Sequence, residues 1–93
     1  MSRYETWLIT GCSGGLGRQL AEAVLARGHR LVATARDVAR LDGLARAWGD
    51  RVRVITLDVT DPHAAREAVD AAVEQFGRLD VLVNNAGYAD LAS

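Results

Sequence analysis

The sequence has 93 residues, a formal net charge of -1 and eleven basic side chains, all of them arginine. This near-balanced charge excludes the basic surface typical of nucleic-acid-binding domains. Because lysine is absent, the chain holds neither a Schiff-base lysine nor the lysine of a Walker-type phosphate loop. Cys12 is the only cysteine, which excludes an internal disulfide and fits a reducing compartment. We expect a cytoplasmic chain with no membrane span, no nucleic-acid partner and no metal site.

Four short apolar segments predict β-strands. Most of them are apolar nearly throughout, as suits strands that are covered on both faces. The segments are residues 7–10, 31–35, 52–57 and 80–84.

The first predicted helix lies between the first two strands, from Leu16 to Arg27. Leu16, Leu20 and Val24 recur at helical spacing and are expected on its buried stripe. Gly28 is the predicted left-handed residue that ends this helix.

Two further helices are predicted before the third and fourth strands. The second starts after Asp37, a good N-cap, and ends at Gly49. The third is capped by Asp61 and ends at Gly77. Its expected buried stripe consists of apolar residues at helical spacing: Ala65, Val69, Ala72, Val73 and Phe76.

The alternation of strands and helices predicts an α/β fold built from βαβ units around a parallel sheet. Right-handed crossovers place the first two helices on one face of the sheet. If the fourth strand returns beside the first, the strand order is 3-2-1-4, the Rossmann-type, three-layer arrangement that binds nucleotides in the crevice between strands 1 and 4.

A glycine-rich turn, residues 10–17, connects the first strand to the first helix. A helix N-terminus offers free backbone N–H groups and a partial positive charge to a pyrophosphate, provided that no Cβ blocks the approach. Gly11, Gly15 and Gly17 meet that requirement. An ATP or GTP P-loop is excluded because Arg18, not lysine, follows the last glycine. A merely tight turn is the alternative, but the strand before and the helix after favour a dinucleotide site.

The glycine spacing, Thr-Gly-x-x-x-Gly-x-Gly, resembles that of the short-chain dehydrogenase/reductase family. Two further segments are similar to family motifs in the right order, Leu57-Asp58-Val59-Thr60-Asp61 after the third strand and Asn84-Asn85-Ala86-Gly87 after the fourth. The resemblance covers residues 7–88 and implies that residues 1–93 are the N-terminal, dinucleotide-binding portion of a single Rossmann-fold domain, without its C-terminal catalytic half. It also implies that Asp58 contacts the adenine end of the cofactor. The expected cofactor-binding residues are Gly11, Ser13, Gly15, Leu16, Gly17, Arg36, Asp58, Val59, Asn85, Ala86 and Gly87.

The end of the second strand predicts which dinucleotide is bound. An acidic residue there accepts hydrogen bonds from a ribose 2'-hydroxyl, whereas an arginine pairs with a 2'-phosphate. By resemblance, Ala35 fills the position that is acidic in NAD-preferring members, and Arg36 fills the basic position of NADP-preferring ones. We therefore expect NADP(H) rather than NAD. The alternative is that Arg36 is only a solvated loop residue and Asp37 only a helix cap.

Several other residues have plainer interpretations. Cys12 is expected to be a small residue at a variable motif position and not a nucleophile, because no nearby base is identifiable. Thr10 and Asn85 are expected to bind backbone and hold the geometry of the turn. Arg18 could approach the phosphate, but a solvated position on the first helical turn is the commoner outcome.

The resemblance implies hydride transfer between nicotinamide and a small carbonyl or alcohol, using a serine and a Tyr-x-x-x-Lys motif. Since the sequence has no lysine, no catalytic residue is assigned to it, and we expect no activity from this chain alone. Three explanations stay open: part of a longer reductase, a natural nucleotide-binding module or pseudoenzyme, or one segment of a split enzyme. We favour the first, and expect a homo-oligomer only for that longer parent.

Overall fold

A computed structural model describes residues 3–58 and 60–85 of the chain. These residues form alternating strands and helices with two short 3-10 turns, Val38–Leu41 and Gly49–Arg51. The strands and α-helices in chain order are β1 Thr6–Ile9, α1 Gly15–Ala26, β2 Arg30–Ala35, α2 Asp42–Trp48, β3 Val52–Thr56, α3 Pro62–Phe76 and β4 Val81–Val83.

The four strands form a parallel sheet in the order β3-β2-β1-β4. In the register of this sheet, Trp7 on β1 pairs with Leu31 on one side and with Val81 on the other. The predicted order 3-2-1-4 is therefore confirmed. The order reverses direction between β1 and β4, which opens a crevice at the carboxyl ends of these two strands.

Each face of the sheet carries its own apolar core. On one face, α1 and α2 cover a core that includes Ile9, Leu25 and Leu44. On the other face, α3 packs through Ala68 and Ala72 against residues of β1 and β2. The placement of the first two helices on one face agrees with the prediction from right-handed crossovers.

The buried face of α1 differs from the one predicted. Leu16 is 71% exposed, whereas the buried residues of the helix are Gly17, Ala21, Val24 and Leu25. The predicted stripe is wrong at its first position because Gly17, one residue later, faces the backbone of the preceding turn. The buried face of α1 therefore begins at Gly17, and Leu16 lies outside it.

The face of α3 is also narrower than predicted. Ala68 and Ala72 are fully buried, but Ala65 is exposed and Val73 is 47% exposed. Ala64, Val69 and Phe76 pack against the same core, so the buried face runs along these residues and leaves Ala65 and Val73 outside it. The ends of the helix agree with the prediction, since Asp61 accepts a hydrogen bond from the His63 backbone N–H and Gly77 has φ +84°.

The second predicted helix is divided into two pieces. Asp37 caps the 3-10 turn Val38–Leu41, because its side chain accepts from Ala39 N and its carbonyl from Arg40 N. This tighter turn brings Leu41 into the core before α2 begins.

The edge strand β4 carries an exposed apolar side chain. Leu82 is aligned with Leu8 of β1 and is 58% exposed. Within the described residues, β4 pairs with β1 alone. None of the described helices has the length and apolar character needed to cross a membrane.

Candidate functional site

The glycine turn lies at the carboxyl end of β1, beside the crevice, and its first residue is bonded to β4. Thr10 donates its backbone N–H to the Val83 carbonyl at 3.1 Å. The Thr10 hydroxyl also lies within hydrogen-bond distance of the Val83 carbonyl and of Asn84 Oδ1, at 3.4 and 3.3 Å. Thr10 therefore joins the start of the turn to the strand on the far side of the crevice.

The turn is closed by a contact between Gly11, Gly17 and Asn85. Asn85 Nδ2 donates to the Gly11 carbonyl at 3.1 Å. A Cβ on Gly17 would lie only 2.1 Å from that same carbonyl oxygen and 2.5 Å from Asn85 Nδ2. Only glycine fits at this position, because any side chain would push α1 away from the turn. The bonds of Thr10 and Asn85 agree with the expectation that these residues hold backbone in place.

Cys12 forms the buried floor of the turn. Its backbone N–H donates to the Thr34 carbonyl at 2.9 Å, and its thiol donates to the Ile9 carbonyl at 3.1 Å. Burial raises the pKa of the Cys12 thiol to about 11, which keeps the sulfur protonated and unreactive near neutral pH. The interpretation of Cys12 as a packing residue agrees with this environment.

The N-terminus of α1 is open. Its N-cap residue is Gly14, which has no side chain to cap the helix, and the first turn contains no acidic residue. A Cβ added to Gly14 or Gly15 would meet nothing within 4 Å. Ser13 and Leu16 are exposed on the same rim. The backbone N–H groups of the first turn thus face an open space with no protein carboxylate on the first turn to compete for them.

Arg36 stands at the carboxyl end of β2, directly after the last residue of the strand, and is exposed. The neighbouring carboxylate of Asp37 is occupied by its capping bond to Ala39 N at 3.1 Å. This bond confirms the expected capping role of Asp37.

Asp58 follows β3 at the same edge of the sheet. Its Oδ1 accepts from the Thr60 hydroxyl at 2.7 Å and from the Thr60 backbone N–H at 2.9 Å. These bonds hold the pKa of Asp58 below its ordinary value, and the charge of Arg36 lowers it further. The carboxylate is therefore ionised and has a fixed orientation beside the Arg36 position.

The structure brings most of the predicted site residues to one edge of the sheet. Gly11, Ser13, Gly15, Leu16 and Gly17 belong to the turn after β1. Arg36, Asp58 and Asn85 follow the ends of β2, β3 and β4. Val59, Ala86 and Gly87 lie outside the described residues.

Among residues 3–58 and 60–85, no group of three or more histidine, cysteine, aspartate and glutamate side chains could hold a metal ion. Arg18 has contacts that its position in the sequence did not indicate, since its Nη1 donates to the Arg40 carbonyl at 3.4 Å. The salt bridge from Arg18 to Glu22 follows from their i, i+4 spacing, but the contact with Arg40 depends on how α1 and α2 pack.

This combination of an open parallel sheet, a reversal of strand order and an uncapped glycine turn defines a dinucleotide-binding α/β fold. A family model described as short chain dehydrogenase matches residues 5–93. The chain belongs to the short-chain dehydrogenase family, whose members are oxidoreductases that use a nicotinamide dinucleotide.

Individual relatives agree with this assignment. The chain is 48% identical over 90 residues to an oxidoreductase, BOA17, of Botryotinia fuckeliana, an alignment that covers 96% of this chain and 33% of the relative. It is 40% identical over 82 residues to a probable NADP-dependent dehydrogenase of Dichelobacter nodosus, covering 88% of this chain and 77% of that protein.

Solved structures show the same fold. The crystal structure of a short-chain dehydrogenase from Streptomyces avermitilis superposes with a TM-score of 0.81 at 42% sequence identity, covering 88% of this chain and 30% of that one. The chain thus spans about a third of the length of the Botryotinia relative and of this structure.

Proposed function

We propose that this chain binds NADP(H) as the cofactor-binding part of a short-chain oxidoreductase that acts on a small carbonyl or alcohol. The observation that carries the proposal is the exposed Arg36 at the end of β2, on the same sheet edge as the uncapped N-terminus of α1. Arg36 suits a 2'-phosphate, and the N-terminus of α1 suits a pyrophosphate.

The residues of the turn fit such a ligand. The open space beside Gly14 and Gly15 admits a pyrophosphate to the backbone N–H groups of α1. Ser13 is exposed on the rim and could donate its hydroxyl to a phosphate oxygen. Leu16, an apolar side chain that is 71% exposed in the free chain, would be covered by the bound dinucleotide.

The surroundings of Arg36 favour the 2'-phosphate over the 2'-hydroxyl. Ala35 supplies no carboxylate to accept a bond from the hydroxyl, and Asp37 is engaged by Ala39. Asp58 follows β3 rather than β2, and in this proposal it serves the adenine end of the cofactor and not the 2'-hydroxyl. The name of the Dichelobacter relative, a probable NADP-dependent dehydrogenase, supports the same choice. By resemblance to the family, we also assign Val59, Asn85, Ala86 and Gly87 to the site.

A nicotinamide dinucleotide held at this site would supply hydride-transfer chemistry. The chain's own residues in this proposal bind and orient the cofactor: α1 takes the pyrophosphate, Arg36 the 2'-phosphate and Asp58 the adenine end. No lysine is present for the Tyr-x-x-x-Lys motif of the family, so we assign no acid or base to this sequence. From the cysteine usage, we propose the cytoplasm as the compartment.

The test compares NADPH and NADH dissociation constants, measured by titration calorimetry, for the native chain and an Arg36→Asp variant. Loss of a charge-assisted bond to the 2'-phosphate should weaken NADPH binding by about a hundredfold while NADH binding stays within about twofold. The matched control is Arg66→Asp, which makes the same charge change on the far side of the sheet, on α3. If Arg36→Asp leaves the preference for NADPH over NADH unchanged, Arg36 does not bind the 2'-phosphate.

A non-catalytic nucleotide-binding module is the alternative, favoured by the absence of lysine. We expect the isolated chain to show no carbonyl reduction with NADPH and to expose apolar surface at Leu82 and Val73. Tight NADPH binding by a cooperatively folding, monomeric chain would support the module. Dye binding to exposed apolar surface, together with a broad unfolding transition, would support a part of a longer enzyme.

A further inference from the structure

Arg18 contacts both halves of the proposed site. It follows Gly17 in the first turn of α1, and its backbone N–H donates to the Gly14 carbonyl at 3.4 Å. Its side chain extends in the other direction, where Nη1 donates to the Arg40 carbonyl at 3.4 Å. One residue therefore joins the glycine turn to the segment that follows β2.

The guanidinium of Arg18 is held on several sides. Its Nε lies 3.7 Å from Glu22 Oε1, in a pair four residues apart on α1. A Cβ built on Gly43, near the start of α2, would lie 3.6 Å from Nη2. The side chain is only 28% exposed. It spans α1, the 3-10 turn and α2 rather than projecting into solvent.

The segment that Arg18 reaches carries Arg36. Residues 36–41 form the turn after β2, and its inner end is anchored by the fully buried Leu41. The turn is braced internally, because Ala39 N and Arg40 N both donate to Asp37. The bond from Arg18 ties the outer, solvent-facing side of this turn to α1.

We propose that Arg18 is a positioning residue that sets the separation between the N-terminus of α1 and the Arg36 turn, and so determines the preference for NADP(H) over NAD(H). The inference rests on the proposed function. Its chemical basis is that the 2'-phosphate and the pyrophosphate of NADP(H) are attached to the same ribose. The sugar fixes the distance between the two anionic groups, and the protein must hold its two anion-binding positions at a matching distance.

NADH lacks the 2'-phosphate and engages only the first of these positions. Loosening the Arg36 turn therefore lowers NADPH affinity while NADH affinity is retained. A direct contact between Arg18 and the phosphate would produce the same change in preference, so the experiment must also report on the turn without nucleotide.

The experiment uses Arg18→Gln, with Arg18→Lys as the conservative variant and Arg66→Gln as the control. Arg66 forms a similar i, i+4 pair, with Asp70 at 3.6 Å, on α3. Dissociation constants for NADPH and NADH are measured together with amide hydrogen exchange of Ala39 and Arg40 in the nucleotide-free chain. Those two amides report on the turn because both donate to Asp37.

For Arg18→Gln we expect about a tenfold loss of NADPH affinity, the size of one hydrogen bond to a charged group, with NADH affinity within about twofold. Exchange of the Ala39 and Arg40 amides should accelerate in the same variant. Arg18→Lys should give effects between those of the native chain and Arg18→Gln, because it keeps the charge but has a single nitrogen in place of the separate Nε and Nη1 that contact Glu22 and the Arg40 carbonyl. Arg66→Gln should match the native chain.

The other outcomes overturn the inference in distinct ways. Loss of NADPH affinity with unchanged amide exchange would make Arg18 a direct phosphate ligand. If a folded Arg18→Gln or Arg18→Lys chain loses affinity equally for NADPH and NADH, or loses no affinity for either, Arg18 does not determine the preference for NADP(H). If the native chain binds neither nucleotide, the proposed function is wrong and the inference falls with it.

Discussion

The helices that follow β1 and β3 begin in opposite ways, although both start at the same edge of the sheet. At α3, Asp61 accepts from the His63 backbone N–H at 2.9 Å, and Pro62 removes another unpaired donor. At α1, Gly14 makes no side-chain capping bond and no acidic residue lies in the first turn.

The difference separates a helix end that is stabilised by its own residues from one that is left for a ligand. With glycine at the N-cap position in place of a capping side chain, α1 loses only roughly 0.3 kcal/mol of stability. The glycines of the α1 turn add to that cost through their conformational freedom. A bound pyrophosphate would supply the missing acceptor, which is why we assign the site to α1 and not to α3.

The largest expected effect tests how the α1 end is built. In Gly17→Ala the new Cβ would meet the Gly11 carbonyl at 2.1 Å, so the helix must move away from the turn. We expect a loss of about 3 kcal/mol in the free energy of unfolding, measured by urea denaturation. The matched control is Gly43→Ala, also inside a helix, where the Cβ meets only Arg18 Nη2 at 3.6 Å. That control should gain about 1 kcal/mol from helix propensity. Equal effects of the two substitutions would contradict a close contact at Gly17.

The next prediction turns the α1 end into a copy of the α3 end. Gly14→Asp places a carboxylate at the N-cap, where the extended backbone and the open space accept it. The helix should gain roughly 0.3 kcal/mol of stability, because glycine is already a tolerated N-cap, while NADPH affinity falls by at least about a hundredfold because the carboxylate repels the pyrophosphate. Calorimetry and thermal unfolding measure the two effects. Gly14→Asn, which caps without charge, should lose much less affinity, and equal losses in both variants would argue against the charge.

A third prediction concerns the buried floor beneath the α1 turn. The pKa of Cys12 is raised from 9.0 to about 11, so the unfolded chain loses the thiol proton at lower pH than the folded chain does. The contribution of this thiol to the free energy of unfolding should therefore be fully present below pH 9, and the free energy of unfolding should fall by about 2 kcal/mol between pH 9 and 11. The measurement is urea unfolding as a function of pH. Cys12→Ala should flatten this alkaline slope, whatever its effect at pH 7. An unchanged slope would mean that another group causes the loss of stability at high pH.

The smallest prediction removes the cap that α3 has. Asp61→Ala should lower the free energy of unfolding by about 1 kcal/mol, since the His63 N–H loses its acceptor. NADPH affinity should stay at the native value, because this helix end is not part of the proposed site. Asp61→Asn keeps an acceptor and should retain most of the stability. A change in NADPH affinity in Asp61→Ala would mean that the two helix ends are not functionally distinct.

Much of the fold could be predicted from local patterns. Asp61 and Gly77 marked the ends of α3 because capping and left-handed conformations have strong residue preferences. The glycine turn between β1 and α1 and the strand order were also predicted correctly. The exposure of Leu16 and Val73 was not predicted, because apolar residues at helical spacing do not show which side of the stripe the tertiary contacts cover.

Local patterns in the sequence were enough to predict the order of the elements and the place of the glycine turn, since these follow from periodicity and caps. The handedness of crossovers then placed the first two helices on one face, while the position of β4 beside β1 was predicted only by assuming a doubly wound sheet. The closure of the turn by the hydrogen bond from Asn85 to Gly11 could be seen only in the folded chain, because the two residues are 74 positions apart. The tertiary structure alone brought Arg18 to the Arg40 carbonyl. The physical reason is that such contacts depend on how closely and at what rotation helices pack on the sheet, which no local pattern of residues encodes.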